Sequence, residues 1–438
     1  MDQKLPKSSL KKASLLITLG LLLSFLSCKN DSEPEVLEVP KAGSVMLVDI
    51  ANSGSVADFR VSFNIAVDES NIQEYRVYIV KLNARSGFDL ASAIALDDSK
   101  YFTVPVTGEN GKLNIPSGQQ DIDGNTIEIE TDYVVFVLSQ PKVPETYAQA
   151  LSSASNPSKL KDEPVVLTLV ENLSSATGGV AVDHQGNIYV ADIGPVPNRG
   201  GSTVFKITPS GGVSVFASGN QLINPSGNTF DAEGNLYQSN LSGRNILKIN
   251  PDGTISVYAD QMISSPVGLI MDQDKNLFVA NCGSNSIALV KPDGTTSILA
   301  TSNLFRCPNG IALDPEGNLY VTNFEGGAVL KVTPDGNVST FTNLPGGNNG
   351  HITYHNGFFY AISRGGNRIY TLDLNGNLTS FAGTGIPATL DGSVSEAAFT
   401  LPNDLAISPD GKTLYFNHSI NTNGINNAPS VIRKIILD

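Results

Sequence analysis

Residues 43–145 alternate apolar and polar positions with a period of two. The pattern runs through VMLVDIA, FRVSFNIAV, YRVYIVKL, YFTVPV, KLNIP and TIEIETDYVVFVLS, with turn-rich stretches between these segments. Such alternation is typical of strands that bury one face of a sheet. It predicts an antiparallel β-sandwich of about seven strands over residues 43–145, followed by a polar linker over 146–162.

A strand-turn-strand unit recurs in the rest of the chain. Clear copies are VDHQGNIYVAD (182–192), FDAEGNLYQSN (230–240), MDQDKNLFVAN (271–281) and LDPEGNLYVTN (313–323), and degenerate copies are YHNGFFYAIS (354–363) and ISPDGKTLYFN (407–417). Each copy follows a short apolar segment and precedes two further predicted strands. Repeats of this length with four strands are propeller blades. The sequence therefore predicts an all-β protein, with a six-bladed β-propeller over residues 163–438 preceded by the β-sandwich.

The two ends of the predicted propeller complement each other. The last unit ends at VIRKIILD without a fourth strand, and EPVVLTLVENLSS (163–175) is similar to the fourth strands of other units. We expect residues 163–175 to complete the last blade, because an open ring leaves an unpaired strand edge.

The Asp, Gly and Asn of the repeated unit fit either a calcium loop or a tight turn. A calcium loop needs oxygen ligands at alternating positions, but the first copy has His184 and Gln185 there. We interpret Asp314, Gly317 and Asn318 as hairpin residues, with the Asp capping backbone N–H groups and the Gly adopting positive φ.

The N-terminal segment has the pattern of an export signal. Four lysines within residues 4–12 precede the apolar stretch ASLLITLGLLLSFLS, which is shorter than the roughly 20 residues of a spanning helix. FLSCKNDSEPE resembles a bacterial lipoprotein signal, and its acidic start resembles the surface-export signal of Bacteroidetes lipoproteins. The resemblance implies a signal peptide over 1–27, lipidation of Cys28, a tether over 28–42 and a lipid anchor in the outer membrane, on the cell surface or facing the periplasm. A plain secretory signal with an incidental cysteine is the alternative.

The charge of the chain argues against one class of partner. The formal net charge is −14 and no cluster of Lys and Arg opposes it. Such a surface repels phosphate backbones, so we expect no nucleic-acid partner.

Two family resemblances add to this interpretation. IEIETDYVVFVLS resembles the late strand of a fibronectin type III domain, with Tyr133 placed like its tyrosine corner and Tyr75 like its central strand. GGVAVDHQGNIYVAD, CPNGIALDPEGNLYVTN and FAGTGIPATLDGSVSEAAFTLPNDLAISPDGKTLYF resemble NHL repeats and, more broadly, the six-bladed family of gluconolactonases and senescence marker protein. The second resemblance implies a fold rather than a chemistry, since NHL propellers include binding scaffolds, lyases and hydrolases.

Polar side chains are expected around one mouth of the propeller channel, opposite the Asp-Gly turns. The ends of the second strands are Asp192, Asn240, Asn281, Asn323, Ser363 and Asn417, and the starts of the innermost strands add Asn228, Asn309, His351, Asn403 and Asp404. Amides hydrogen-bond neutral polar ligands. We expect a polar small molecule, a glycan or a protein partner to bind there, with contacts at Asp192, Asn240, Asn281, Asn323, Asn309, His351 and Asp404. The alternative is that the amides only cap strand ends and hold channel water.

The gluconolactonase resemblance implies a second function. Those enzymes hold a divalent metal with a Glu, an Asn and an Asp at this face, and Asn309 with Gly310 matches their Asn-Gly step. Val267 stands where the Asp belongs, and Asp404 is the nearest other carboxylate. A calcium-dependent lactonase or ester hydrolase, with Asn309 and Asp404 as ligands, is therefore the alternative to a binding module without a cofactor.

Cys282 and Cys307 are expected on one face of adjacent blades. Exported proteins meet an oxidising environment, so a disulfide and a pair of free thiols both stay open. A zinc site with His351 fits no standard ligand spacing.

Overall fold

The computed structural model describes residues 36–50, 55–175, 177–195, 200–421 and 428–437. Strands dominate these ranges. The helical segments are the α-helix Leu90–Ala95 and the 3-10 turns Val56–Asp58, Leu82–Gly87, Asp98–Lys100 and Cys282–Ser284. No helix in the described ranges is long and apolar enough to span a membrane. The predicted signal peptide and Cys28 lie outside the described residues.

Residues 36–151 contain three sheets, and the two larger sheets share one hydrophobic core. The strands are β1 (Leu37–Glu38), β2 (Gly43–Asp49), β3 (Phe59–Asn64), β4 (Ile72–Lys81), β5 (Phe102–Pro105), β6 (Gly111–Asn114), β7 (Tyr133–Pro141), β8 (Tyr147–Ala148) and β9 (Ala150–Leu151). They are ordered β2-β3-β6, β5-β4-β7-β9 and β1-β8. Phe59 and Val61 of the three-stranded sheet and Tyr75 and Tyr133 of the four-stranded sheet are all buried in the shared core. Period-two alternation thus places one face of each strand in this core. The opposite face of β4 and β7 is also buried, in a second cluster that contains Phe88 and Ala93.

The segment predicted to be a polar linker, 146–162, is part of this N-terminal unit. β8 pairs with β1 and β9 pairs with β7, and Leu160 is fully buried in the core. The side chain of Tyr133 reaches back along the chain, where its phenol oxygen accepts the N–H of Glu128 at 3.1 Å. The sequence pattern missed these pairings because strands of two residues have no measurable periodicity.

The rest of the chain forms six sheets of the propeller. Blade 1 contains β11 (Thr177–Val182), β12 (Ile188–Asp192), β13 (Thr203–Ile207) and β14 (Val213–Ser218), and blade 2 contains β15 (Pro225–Phe230), β16 (Leu236–Asn240), β17 (Asn245–Ile249) and β18 (Ile255–Ala259). Blade 3 contains β19 (Pro266–Met271), β20 (Leu277–Asn281), β21 (Ser286–Val290) and β22 (Thr296–Thr301), and blade 4 contains β23 (Pro308–Leu313), β24 (Leu319–Asn323), β25 (Ala328–Val332) and β26 (Val338–Asn343). Blade 5 contains β27 (Asn349–His355), β28 (Phe358–Ser363), β29 (Arg368–Asp373) and β30 (Leu378–Ala382). Blade 6 contains β10 (Val165–Leu173), β31 (Gly392–Ser393), β32 (Leu405–Ile407), β33 (Thr413–Ser419) and β34 (Ser430–Ile436). The first strand of each blade contacts those of its neighbours, and β32 contacts both β27 and β11, so the ring is closed.

The repeated Asp-Gly-Asn unit is a turn in each clear copy. Asp314 Oδ1 accepts the N–H of Asn318 at 2.8 Å, its Oδ2 accepts the side-chain amide of Asn318 at 2.9 Å, and Gly317 has φ of 83°. Asp183, Asp231 and Asp272 make the same pair of contacts. The carboxylate oxygens are therefore used to hold the turn, as the sequence predicted.

The ring is closed by a strand from the start of the propeller, as predicted. β10 runs antiparallel to β34, with Val165 opposite Ile436 and Leu173 opposite Ser430. β10 also pairs with β31, which makes the last sheet five-stranded. Val165 packs against Ile50 of the N-terminal unit in a separate small cluster.

Candidate functional site

The channel is narrowest at one register position of the six innermost strands. Four blades have glycine there (Gly179, Gly227, Gly268 and Gly310), and blades 5 and 6 have His351 and Asp404. A Cβ on Gly310 would lie 2.4 Å from the Cα of His351, and one on Gly179 would lie 2.3 Å from the carbonyl oxygen of Ser226. The strands therefore approach one another too closely for a methyl group at these glycines. Only His351 and Asp404 supply side chains at this level.

His351 and Asp404 form a buried pair. The Nδ1 of His351 lies 3.1 Å from Oδ2 of Asp404, and the residues are 6% and 4% exposed. Asp404 Oδ2 also accepts the N–H of Val180 at 2.9 Å, and its Oδ1 accepts the N–H of Leu405 at 2.7 Å. Burial lowers the pKa of His351 to about 4 and raises the pKa of Asp404 well above its usual value. Burial disfavours charge on both groups, and the 3.1 Å contact between Nδ1 and Oδ2 allows the two groups to share a proton.

The pair lies in a cavity of about 420 Å³ within the channel. Aliphatic side chains from several blades form much of its wall, among them Val180, Leu269 and Ile311. His184 and Asp231, which follow innermost strands, also line it. The cavity therefore extends toward the face of the Asp-Gly turns, whereas the sequence placed ligand contact at the opposite face.

Most of the predicted amides hold loops instead of lining this cavity. Asn281 Oδ1 accepts the N–H of Ser264 at 3.1 Å and its Nδ2 donates to the carbonyl of Met262 at 2.9 Å. Asn240 and Asn323 make the equivalent contacts to the loops that enter blades 2 and 4. These side chains are fully buried. Their role matches the strand-capping alternative, because donor and acceptor are both used within the protein.

The other second-strand ends differ in detail. Asp192 is partly exposed, and its Oδ1 accepts the N–H of Gly194 at 3.0 Å. The hydroxyl of Ser363 donates to the carbonyl of Pro345. In blade 6 the position equivalent to Asn240 is His418, not Asn417, because β33 runs one residue further than the sequence alignment assumed. Arg433 donates to Nε2 of His418 at 3.1 Å, so Nδ1 carries the ring proton and donates to the carbonyl of Ser419 at 2.8 Å.

Asn309 and Asp404 do not fit the predicted calcium site. Asn309 Nδ2 donates to the carbonyl of Asn349 at 2.7 Å, and both oxygens of Asp404 already accept hydrogen bonds. The described ranges contain no group of three His, Cys, Asp or Glu side chains able to hold a metal ion. The function proposed below therefore does not use a metal ion.

Cys282 and Cys307 are joined in a disulfide, with their Cα atoms 3.9 Å apart. Cys282 follows β20 of blade 3 and Cys307 precedes β23 of blade 4. The bond therefore links two adjacent blades on the face of the second-strand ends.

One feature of the site that the sequence analysis does not predict is an amide pair in blade 2. The sequence analysis places Asn228 at a strand start but does not predict that Asn228 or its partner Gln238 contacts a ligand. Asn228 lines the same cavity as His351 and Asp404. Comparing the six repeats position by position would have found it, because the other blades have aliphatic residues at the position of Asn228.

The six sheets around a central channel define a β-propeller. The virginiamycin B lyase family matches residues 172–421, and the chain belongs to that family. No curated protein matches the sequence.

Solved structures are similar in fold. A structural genomics protein of unknown function from Bacteroides thetaiotaomicron has a TM-score of 0.52 at 13% identity, covering 92% of this chain and 98% of its own. A gluconolactonase from Xanthomonas campestris has a TM-score of 0.48 at 18% identity, covering 63% and 90%. A catalytically inactive virginiamycin B lyase from Staphylococcus aureus, solved with quinupristin, has a TM-score of 0.47 at 17% identity, covering 63% and 100%.

Proposed function

We propose that the propeller binds a small polar molecule in the channel cavity, in contact with His351 and Asp404. The observation that carries the proposal is the replacement of glycine by these two side chains at the narrowest level of the channel. A cavity of about 420 Å³ is within the usual range for small-molecule sites, roughly 300–1,000 Å³. A glycan end group fits this volume, whereas a protein partner would have to contact the rim.

The rest of the chain serves to place the propeller. Cys28 carries the lipid anchor in the outer membrane, on the evidence of the export-signal pattern. The tether is shorter than the predicted 28–42, because β1 pairs with β8 and Val39 and Ala42 are buried in the core of the N-terminal unit. The N-terminal unit, a fibronectin-like module, acts as a spacer. Stable anchoring needs two or more acyl chains, which bacterial lipoprotein processing at Cys28 would supply.

Replacing Cys28 by Ala is expected to move the protein from the membrane fraction to the soluble fraction. The reason is that the anchor then has no thiol for lipid attachment. Fractionation and immunoblotting of cells that express the parent and Cys28→Ala would measure this, with Cys28→Ser as a second variant. A variant that stays with the membrane would show that something other than the lipid holds the protein there.

The shared proton predicts a pH dependence of stability that differs between two variants. In Asp404→Asn, His351 keeps a lowered pKa, so the unfolded state binds more protons between about pH 4 and 6.5 and stability rises with pH. In His351→Gln, Asp404 keeps a raised pKa, so the folded state binds more protons above about pH 4 and stability falls as pH rises. In the parent the two effects oppose each other, so stability is expected to change less with pH than in either variant.

Urea unfolding of the three proteins at several pH values would measure these slopes. His418, whose pKa burial lowers to about 3, is common to all three and cancels in the comparison. Identical slopes in both variants would contradict the shared proton.

Binding itself is testable through the histidine rings. The chain has four histidines, and a ligand in the cavity should shift the ¹⁵N resonances of His351 and His184 while leaving His418 unmoved. A library of small polar molecules would be screened against ¹⁵N-histidine protein, with His351→Gln to assign the ring. Ligands that bind without moving His351 would place the site elsewhere.

Ester or lactone cleavage is the second candidate function. It is favoured by family membership and by a proton-holding pair at the cavity floor, since a positioned side chain that gives or takes a proton is what general acid–base catalysis requires. The test is turnover of a panel of lactones and aryl esters with and without calcium, zinc or manganese, by the parent, Asp404→Ala and Asn309→Ala. Turnover lost only in Asp404→Ala supports catalysis by the pair, and turnover that needs metal and both residues supports the calcium site instead. If the parent shows no turnover, ester or lactone cleavage is excluded for those substrates.

A further inference from the structure

Blade 2 has two amide side chains where the other five blades have apolar pairs. Asn228 of β15 lies opposite Gln238 of β16. The equivalent pairs are Val180 with Val190, Leu269 with Val279, Ile311 with Val321, Ile352 with Ala361 and Leu405 with Phe416. An apolar pair is therefore enough to build a blade, and the amides need another explanation.

The hydrogen bonds of Gln238 fix the orientation of both amides. Its Nε2 donates to the carbonyls of Ser226, Gly227 and Ser239 at 2.9 to 3.0 Å. Its Oε1 therefore faces Asn228, which donates to it through Nδ2 at 3.3 Å. Because Nδ2 of Asn228 donates to Gln238, the remaining hydrogen-bonding atom of the Asn228 side chain is Oδ1, which is an acceptor.

This acceptor is buried and has no hydrogen-bond partner among the described residues. Asn228 is 8% exposed and Gln238 is fully buried. Buried polar atoms in native proteins are nearly always paired, and an exception calls for a ligand, a water or a functional role. The neighbour Gly227 lies against His351, since a Cβ there would be 3.2 Å from Cε1 of the imidazole. Asn228 therefore lines the same cavity as the His351–Asp404 pair.

We infer that Asn228 Oδ1 accepts a hydrogen bond from the ligand, and that the ligand carries a neutral N–H or O–H donor on a small apolar body. This inference rests on the proposed function, because it names the ligand class of the same cavity. The aliphatic wall of Val180, Leu269 and Ile311 accommodates the apolar body. Asp231 and Asp404 also line the cavity, and the described lining includes no Lys or Arg. This charge distribution disfavours an anionic ligand.

The test uses benzamide, which has N–H donors, and N,N-dimethylbenzamide, which has the same ring and carbonyl but no donor. Their dissociation constants would be measured by ligand-observed NMR for the parent and for Asn228→Val combined with Gln238→Val, which reproduces the pair of blade 1. Asn250→Val makes the same change in a turn of blade 2, outside the cavity lining. Circular dichroism would establish that all variants are folded.

We expect the parent and Asn250→Val to bind benzamide at least tenfold more tightly than the dimethyl amide, and the double variant to bind both with similar affinity. If the parent binds benzamide and N,N-dimethylbenzamide with equal affinity, the acceptor role of Asn228 is overturned, while ligand binding at His351 is unaffected. A preference that survives in the double variant also overturns it. Failure of both amides to bind, with only a water on Asn228 Oδ1 in a crystal structure, overturns the ligand class, and the histidine-shift screen then decides separately whether the cavity binds anything.

Discussion

Removal of residues 1–175 is expected to yield an aggregated propeller, whereas removal of residues 1–160 is expected to leave a soluble, folded one. The difference is β10, which pairs with β34 along most of its length. Val165, Val166, Leu167 and Leu173 of this strand are buried, and burial of such a side chain contributes roughly 1.5–3 kcal/mol. Their combined loss is comparable to the whole stability of a typical domain, about 5–15 kcal/mol, and it exposes an unpaired edge that invites association.

Size-exclusion chromatography and thermal unfolding would compare the two truncated proteins. A synthetic peptide of residues 163–175 added during refolding of the shorter protein serves as a control, because it supplies the missing strand. Equal solubility and equal melting temperature of the two proteins would show that β10 is dispensable for closure.

Arg433→Ala is expected to destabilise the protein by about 3 kcal/mol, because each buried hydrogen-bonding group that loses its partner costs about 1–3 kcal/mol. Arg433 is fully buried in blade 6, and its guanidinium lies 2.8 Å from Oδ1 of Asp391. It also donates to the carbonyls of Leu390 and Ala398. Burial lowers the pKa of Arg433, and the nearby carboxylate of Asp391 opposes that shift. Asp391 in turn accepts the N–H and hydroxyl of Thr168 in β10.

The matched control is Lys434→Ala, the next residue of β34, whose side chain is partly exposed. Surface substitutions usually change stability by no more than about 0.5 kcal/mol. Urea unfolding would give both free energies. Similar small changes for Arg433→Ala and Lys434→Ala would mean that the buried network contributes little to the closure of the ring.

Repetition explains why the fold was predictable from the sequence. A tight turn such as Asp314 to Asn318 recurs at similar intervals and its chemistry is local, so the sequence favours a turn over a calcium loop. The closing strand was also predictable, because residues 163–175 have the pattern of the fourth strands. Such patterns specify which positions share an element.

The site was less predictable because its chemistry depends on which atoms meet. The sequence shows an Asn at the end of β16, β20 and β24. It does not show that Oδ1 and Nδ2 of Asn281 both hydrogen-bond to the loop that precedes β19. Nor does periodicity reveal that His418, one residue later than the predicted Asn417, occupies the equivalent position in blade 6. His351 and Asp404 were chosen as polar residues at strand starts, and their contact with each other follows only from the close approach of the inner strands.

A ring of six similar repeats has approximate sixfold symmetry. By itself it gives a molecule in the channel no preferred rotational orientation about the axis. Four of the six innermost strands here are so close together at Gly179, Gly227, Gly268 and Gly310 that a mutation adding even one carbon meets neighbouring backbone. New side chains at this level are therefore confined to blades 5 and 6. The pseudo-sixfold symmetry is thus broken by His351 and Asp404 in blades 5 and 6 and by the amide pair of blade 2. A molecule in the channel therefore has a single rotational orientation in which its polar groups are matched.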